Sequence, residues 1–336
     1  MKKWISALAS LTLSAAMLAG CAAPGEAPSS SAAAEQKLKV YTSFYTMYDF
    51  TTKIGGDKIE AVNLVPGGGE PHDWEPAPTD IAALEEADLL IYNGAGLEHW
   101  VDTVLPSLQN ELVVVETSKG VDLLEGHAHS HDDEGEAHEE EAKLEEDKHE
   151  EEEHEDEEHE DETVMDPHVW LSPLNAKKQM ETIKDALVLA DAANKEYYEA
   201  NYAKYAAEAD TLDAEFKTMV AGLKNKDLIV THQAFGYLCE AYGLNQVPIE
   251  GLSPESEPDA GRIAEVIEFA KEHKVTTIFF EELVNPKVAE SIAKAVGAKT
   301  DVLSPIEALS EESQAAGDDY FSIMRKNLKA IEAAGQ

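Results

Sequence analysis

Cysteine is nearly absent: the 336-residue chain has two, Cys21 and Cys239. A disulfide-stapled scaffold is excluded on that count. Basic residues are scarce as well, with 26 Lys and Arg against 68 Asp and Glu and a formal charge of -42. So acidic a chain repels nucleic-acid phosphates, which argues against nucleic acid as a partner, and it attracts cations. Beyond the first twenty residues no apolar run is long enough to span a bilayer. The HExxH pattern of zinc hydrolases and the GxSxG elbow of serine hydrolases are both missing. No short repeat marks a solenoid, and the two halves of the chain look alike only in class.

What is present begins with a targeting pattern. Lys2 and Lys3 precede a short apolar stretch that ends in Leu18-Ala19-Gly20-Cys21. Small residues directly before a cysteine resemble a lipoprotein signal, in which Cys21 is lipidated and becomes the new N-terminus. The expectation is a protein exported and anchored by lipid, without spanning the membrane. With Cys21 acylated, Cys239 has no partner and is expected to be a buried, inert thiol. Residues 22–37, rich in Pro, Ser, Ala and Gly, read as a flexible tether.

From residue 38 short apolar runs alternate with helical patterns. LKVYTS (38–43), EAVNLV (60–65), ADLLIYNG (87–94) and LVVVET (112–117) read as buried strands, with helices over 45–54 and 79–86. A second series follows: DLIVTH (227–232), VTTIFFEE (275–282) and TDVLSP (300–305), with helices over 235–242, 260–273 and 286–296. Between the two series, 173–190 is helical. The stretch 194–223 is a second, longer helix of about 30 residues and about 45 Å. Tyr198, Tyr202, Tyr205, Leu212, Phe216 and Met219 mark its packed face. The fold class expected is α/β: two lobes, each a small mostly parallel sheet flanked by helices, linked by one long backbone helix. The boundaries are 38–190 for the N-terminal lobe, 191–223 for the linking helix and 224–336 for the C-terminal lobe.

Residues 125–162 break the pattern. They hold about half of the net charge and almost no aliphatic side chains, so a disordered or mobile loop is expected. His127, His129, His131, His138, His149, His154 and His159 lie in this run. Read as chemistry, they form a weak, multi-site metal collector; read as composition, they decorate an acidic solvating loop.

Outside that run five histidines remain: His72, His99, His168, His232 and His273. His72 (PGGGEPHDWEP), His168 (DPHVWLSP) and His232 (VTHQAFGY) sit where strand-like runs meet loops, which is where open α/β sheets bind ligands. His273 lies in a charged helical stretch and is expected to be solvated. His99 suits the surface, or a place behind a ligand. Three neutral imidazoles suit Zn²⁺, and one carboxylate completes a tetrahedron. Spacing alone does not show that these residues converge.

Four blocks carry a resemblance: PHDWEPAPTDIAALEEADLLIYNGAGLEHW, DPHVWLSP, THQAFGYLCEAYGL, and IFFEELVNPKVAESIAKAVGAKTDVLSPIEALSEE. In order and spacing they resemble the solute-binding proteins of bacterial zinc and manganese ABC importers, over nearly the whole chain after the tether. The resemblance implies two α/β lobes on one rigid helix, with metal in the cleft. His72 and His168 would come from the first lobe, and His232 and Glu307 from the second. Glu281 and Glu282, which also end a strand, rival Glu307 for the fourth position, and water is a third option. Histidine rather than carboxylate at position 232 resembles the zinc type and makes Mn²⁺ the lesser choice. The function implied is a monomeric extracytoplasmic receptor that delivers Zn²⁺ to the permease of an ABC importer. The alternatives are a manganese or broad-metal receptor, a surface adhesin of the same family, and a secreted zinc hydrolase.

Overall fold

The computed structural model describes residues 37–126, 164–254 and 258–336. The expectations for Cys21, for the tether up to residue 36 and for the seven histidines from His127 to His159 fall outside the described residues. Within those residues no helix is long and apolar enough to cross a membrane.

The first series of apolar runs forms β1 (Leu38–Thr42), β2 (Ile59–Asn63), β3 (Leu89–Tyr92) and β4 (Val113–Glu116). These pair in the order β2-β1-β3-β4, all parallel, with Val40 opposite both Ala61 and Leu89. α1 (Tyr45–Gly55), α2 (Pro78–Leu84) and the short α3 (Val101–Val104) connect them. Parallel strands need crossovers, and helices covering both faces explain why β3 is apolar without alternation.

The chain then passes through α4 (Pro173–Ala190) and α5 (Lys195–Val220). α5 has 26 residues, about 39 Å at the usual rise. It is shorter than the sequence suggests, because 192–194 is a separate 3-10 turn and the helix ends before Gly222. Its Ala-rich interior lacks Gly and Pro, which favours an unbroken helix. Tyr198, Leu212 and Phe216 are buried, while Tyr202, Tyr205 and Met219 pack on the same core from its margin.

The second sheet comprises β5 (Asp227–Val230), β6 (Asn245–Pro248), β7 (Thr277–Phe280) and β8 (Lys299–Val302), in the order β6-β5-β7-β8. It is also all parallel. α6 (Gly236–Tyr242), α7 (Ala260–Glu272) and α8 (Lys287–Val296) flank it. The two lobes are therefore alike in strand order as well as class. β6 is missed by the sequence because NQVP has no apolar period and ends in proline. As an edge strand it tolerates both.

Two C-terminal helices were also unassigned from sequence: α9 (Glu311–Ala316) and α10 (Tyr320–Gly335). Asp319 caps α10, its carboxylate accepting from the Ser322 N–H at 2.8 Å. Tyr320 and Phe321 carry α10 onto the first lobe, with the Tyr320 ring 4.9 Å from that of Phe50. One continuous core joins α1, α4, α5, α6 and α10, and the chain from Lys37 onward is one compact unit.

Candidate metal centre

Each lobe offers the C-terminal ends of its strands to the space between them. β5 ends at Val230, and two residues later His232 is fully buried. β7 ends at Phe280 and is followed by Glu281, which is 5 % exposed. His232 and Glu281 thus face each other where the strand order of the second sheet reverses, the position at which such sheets bind ligands. Glu307 lies in the loop after β8. His72 lies in the loop between β2 and α2, and His168 opens a short 3-10 turn before α4.

The structure brings His72, His168, His232 and Glu307 together, with one donor atom from each within 4.8 Å of all the others. The Nε2 atom of His168 lies 3.2 Å from that of His72 and 3.1 Å from that of His232. Glu307 Oε1 is 3.1 Å from His168, 3.4 Å from His72 and 3.8 Å from His232. A tetrahedral ion with bonds of about 2.0–2.1 Å has ligand–ligand edges of about 3.3–3.4 Å. The distances from His168 and Glu307 to the other donors, 3.1–3.8 Å, lie near the edges of such a polyhedron.

The imidazoles are oriented from behind. Asp166 Oδ1 accepts from both the backbone N–H of His168 (2.9 Å) and its Nδ1–H (2.8 Å). Glu281 accepts the Nδ1–H of His232 in a very short contact. A carboxylate only accepts, so each ring keeps a proton on Nδ1 and turns Nε2 to the centre, where it offers a lone pair once the ring is neutral. Lone pairs facing one another at such distances repel unless a cation or proton lies between them. Glu307 Oε1 is buried and takes no well-aligned hydrogen bond. The donor set fits a cation.

Protonation follows from these contacts. Burial pulls His168 down, but its hydrogen bond to Asp166 and the nearby charges of Asp166 and Glu307 outweigh it and push it up to about 10. For His232 burial is likewise outweighed, by Glu281, and the value is raised. Burial wins at His72, whose value is lowered. At Glu307 burial is overcome by the imidazoles of His168 and His72, which hold it well below the carboxylate range.

The rivals for the fourth position stand elsewhere. Glu281 is turned to His232 Nδ1, and exposed Glu282 lines a 70 Å³ cavity beside the cluster with Glu70 and Glu307. Glu70 is pushed up to about 8 by burial and by the charge of Glu307. His99 is exposed and pairs with Glu75 at 3.0 Å. His273 stacks on Phe269 and pairs with Asp227, away from the cluster. Cys239 is free and buried, its thiol pushed up to about 12 by burial, as expected of an inert residue.

Sequence reasoning missed the supports. Asp166 stands two residues before His168, and Asp-Pro-His is a visible signal for a local carboxylate–backbone turn. Asn93 donates to the Pro167 carbonyl at 2.9 Å, and Gln179 donates to Asn93 Oδ1 at 2.8 Å. Those pairings cross 74 and 86 residues, and nothing in either local sequence marks them.

Two parallel-sheet lobes, one backbone helix and a closed donor cluster between the lobes define the class: a two-lobed binding protein with a candidate metal-ion site in its cleft. Residues 40–334 match the ZnuA family, described as zinc-uptake complex component A, periplasmic, and the chain belongs to that family. It is 46% identical over 297 residues to the high-affinity zinc uptake system protein ZnuA of Bacillus subtilis, covering 88% of this chain and 87% of that one. It is 37% identical over 305 residues to the zinc-binding lipoprotein AdcA of Streptococcus pneumoniae. That match covers 89% of this chain but spans only 56% of AdcA. The crystal structure of the Zn(II)-bound ZnuA-like domain of AdcA superposes with a TM-score of 0.72 at 34% identity, over 89% of this chain and 99% of the domain.

Proposed function

We propose that the chain is an extracytoplasmic, high-affinity receptor that captures Zn²⁺ as cargo and delivers it to the permease of an ABC-type importer. His72, His168, His232 and Glu307 are the ligands in this reading. The observation that carries it is the convergence of three imidazole Nε2 atoms, two of them from fully buried rings, and one carboxylate oxygen at near-tetrahedral spacing. Three nitrogens and one oxygen suit Zn²⁺ better than Mn²⁺. Four protein donors close the coordination shell and leave no position for an activated water, so binding and transfer are favoured over hydrolysis. The similar proteins named for zinc uptake and zinc binding support the same cargo.

The histidine-rich insertion is assigned a collecting role from its composition. Its described ends meet in an antiparallel bridge between Glu125 and Met165, and the Gly126 N–H donates to the Val164 carbonyl at 2.7 Å. Val164 and Met165 share the wall of a 510 Å³ cavity with His72. Replacing residues 127–163 by a two-residue hairpin turn respects that bridge. Calorimetry of the shortened protein is expected to retain one tight zinc site while the weak sites disappear. Loss of the tight site would refute the ligand set, and a tighter site for Mn²⁺ than for Zn²⁺ would refute the cargo.

Lipidation at Cys21 is part of the same proposal, supported by the residues before it. Cys21→Ser is expected to leave zinc binding unchanged and to move the protein from the membrane fraction to the soluble one. Retention in membranes would contradict the anchor.

A further inference from the structure

The loop that carries Glu307 has an unusual backbone. Ile306, one residue before Glu307, has φ +62°. A β-branched residue in the left-handed region is a conformational outlier, sustained only where its surroundings hold it. Ile306 is fully buried.

Two of the restraints come from the other lobe. Thr46, in the first turn of α1, donates its hydroxyl to the Ile306 carbonyl at 2.5 Å across 260 residues. Trp170, two residues beyond His168, donates its indole N–H to the Pro305 carbonyl at 2.7 Å. Within the loop, the Ser304 hydroxyl accepts from the Ile306 N–H at 3.2 Å, and Asn327 of α10 is bonded to both the N–H and the carbonyl of Ser304.

We infer that Thr46 is a positioning residue for the cleft carboxylate: from the first lobe, it holds Ile306 in the left-handed conformation that aims Glu307 at the three imidazoles. Glu307 follows the second sheet in sequence, but its backbone is fastened to the lobe that supplies His72 and His168. Without the Thr46 hydroxyl, Ile306 relaxes toward negative φ, the 306–307 peptide turns, and the carboxylate leaves the cluster. The inference rests on Glu307 being a ligand, and its test separates the two claims.

The test compares Thr46→Val, Thr46→Ser and Glu307→Ala in the full-length protein. Zinc affinity is measured against a competing chelator, and the ligand-field absorption of bound cobalt(II) reports the coordination sphere. Thr46→Val is expected to weaken zinc about tenfold, the lower range for removing a group that orients a ligand. It should also shift the cobalt spectrum toward that of Glu307→Ala. Thr46→Ser keeps the hydroxyl and should restore both readouts. The double variant Thr46→Val/Glu307→Ala should bind no more weakly than Glu307→Ala alone. Thr51, buried on the same helix with no hydrogen-bond partner for its hydroxyl among the described residues, is the control, and Thr51→Val should change neither readout. Should Thr46→Val fold poorly, Thr46→Ala removes the same hydroxyl without placing a methyl against the carbonyl and carries the same expectation. A Thr46→Val or Thr46→Ala protein with the wild-type spectrum and affinity, beside an altered Glu307→Ala, overturns the positioning role and leaves the ligand assignment intact. A Glu307→Ala protein with wild-type spectrum and affinity overturns the ligand assignment, and the inference with it.

Discussion

His232→Ala is expected to abolish most of the thermal stabilisation that zinc confers. A ligand bound only by the folded state stabilises it by about 4.1 kcal/mol at a thousandfold excess over Kd. Loss of one of three nitrogen donors raises Kd and removes most of that term at the same metal concentration. In the proposed ligand set His232 matters more than its share of donors, because it is held at the switch point of the second sheet with its Nδ1–H bound to Glu281. The substitution also strands Glu281, a buried acid, without its partner. Breaking such a pair costs about 3–5 kcal/mol. The melting temperature of the metal-free variant will therefore fall as well, and the readout is the difference with and without zinc. Glu307→Ala is expected to reduce the zinc-induced shift modestly, since three imidazoles remain. Glu282→Ala should leave it unchanged. Glu281→Ala should weaken affinity about 10- to 100-fold by freeing the His232 ring, without removing a donor. A shift abolished by Glu281→Ala or Glu282→Ala and untouched by Glu307→Ala would reverse the ligand assignment.

Acidification is expected to have an effect of similar size. Metal needs neutral imidazole, so each proton displaced on binding makes affinity change about tenfold per pH unit. A solvated histidine would confine that dependence to pH values near about 6.5 and below. His168 behaves differently, because Asp166 and Glu307 outweigh burial and keep it protonated up to about 10 in the metal-free protein. Zinc must therefore expel a proton across the whole neutral range. Affinity should fall at least about 100-fold from pH 8 to pH 6, and calorimetry at pH 7.5 should show a binding enthalpy that varies with the buffer's ionisation enthalpy. The metal-free fold responds with the opposite sign. The raised value of His168 contributes stability that is fully present below about pH 6.5 and is lost as pH rises toward 10. Zinc affinity that stayed level between pH 7.5 and 5 would exclude a histidine-dominated site.

Much of this protein is determined locally. The apolar runs at 38–43, 87–94 and 227–232 have the length and composition of buried parallel strands, and they became β1, β3 and β5. The unbroken Ala- and Tyr-rich stretch became α5, because helix propensity and one packed face are local properties. His72, His168, His232 and Glu307 were also identifiable, by their places in the blocks that resemble the family. What local sequence does not contain is distance. NQVP pairs as β6 only because β5 offers it an edge, and α10 is packed by residues more than a hundred positions away. Glu281 and Glu307 look alike in sequence as rivals for the fourth position, but they meet opposite sides of the His232 ring, Glu281 at Nδ1 and Glu307 toward Nε2. The Asp166, Glu281 and Thr46 contacts arise for the same reason. Hydrogen bonds that orient a ligand join segments brought together by the packing of two lobes, so only the tertiary structure could decide them.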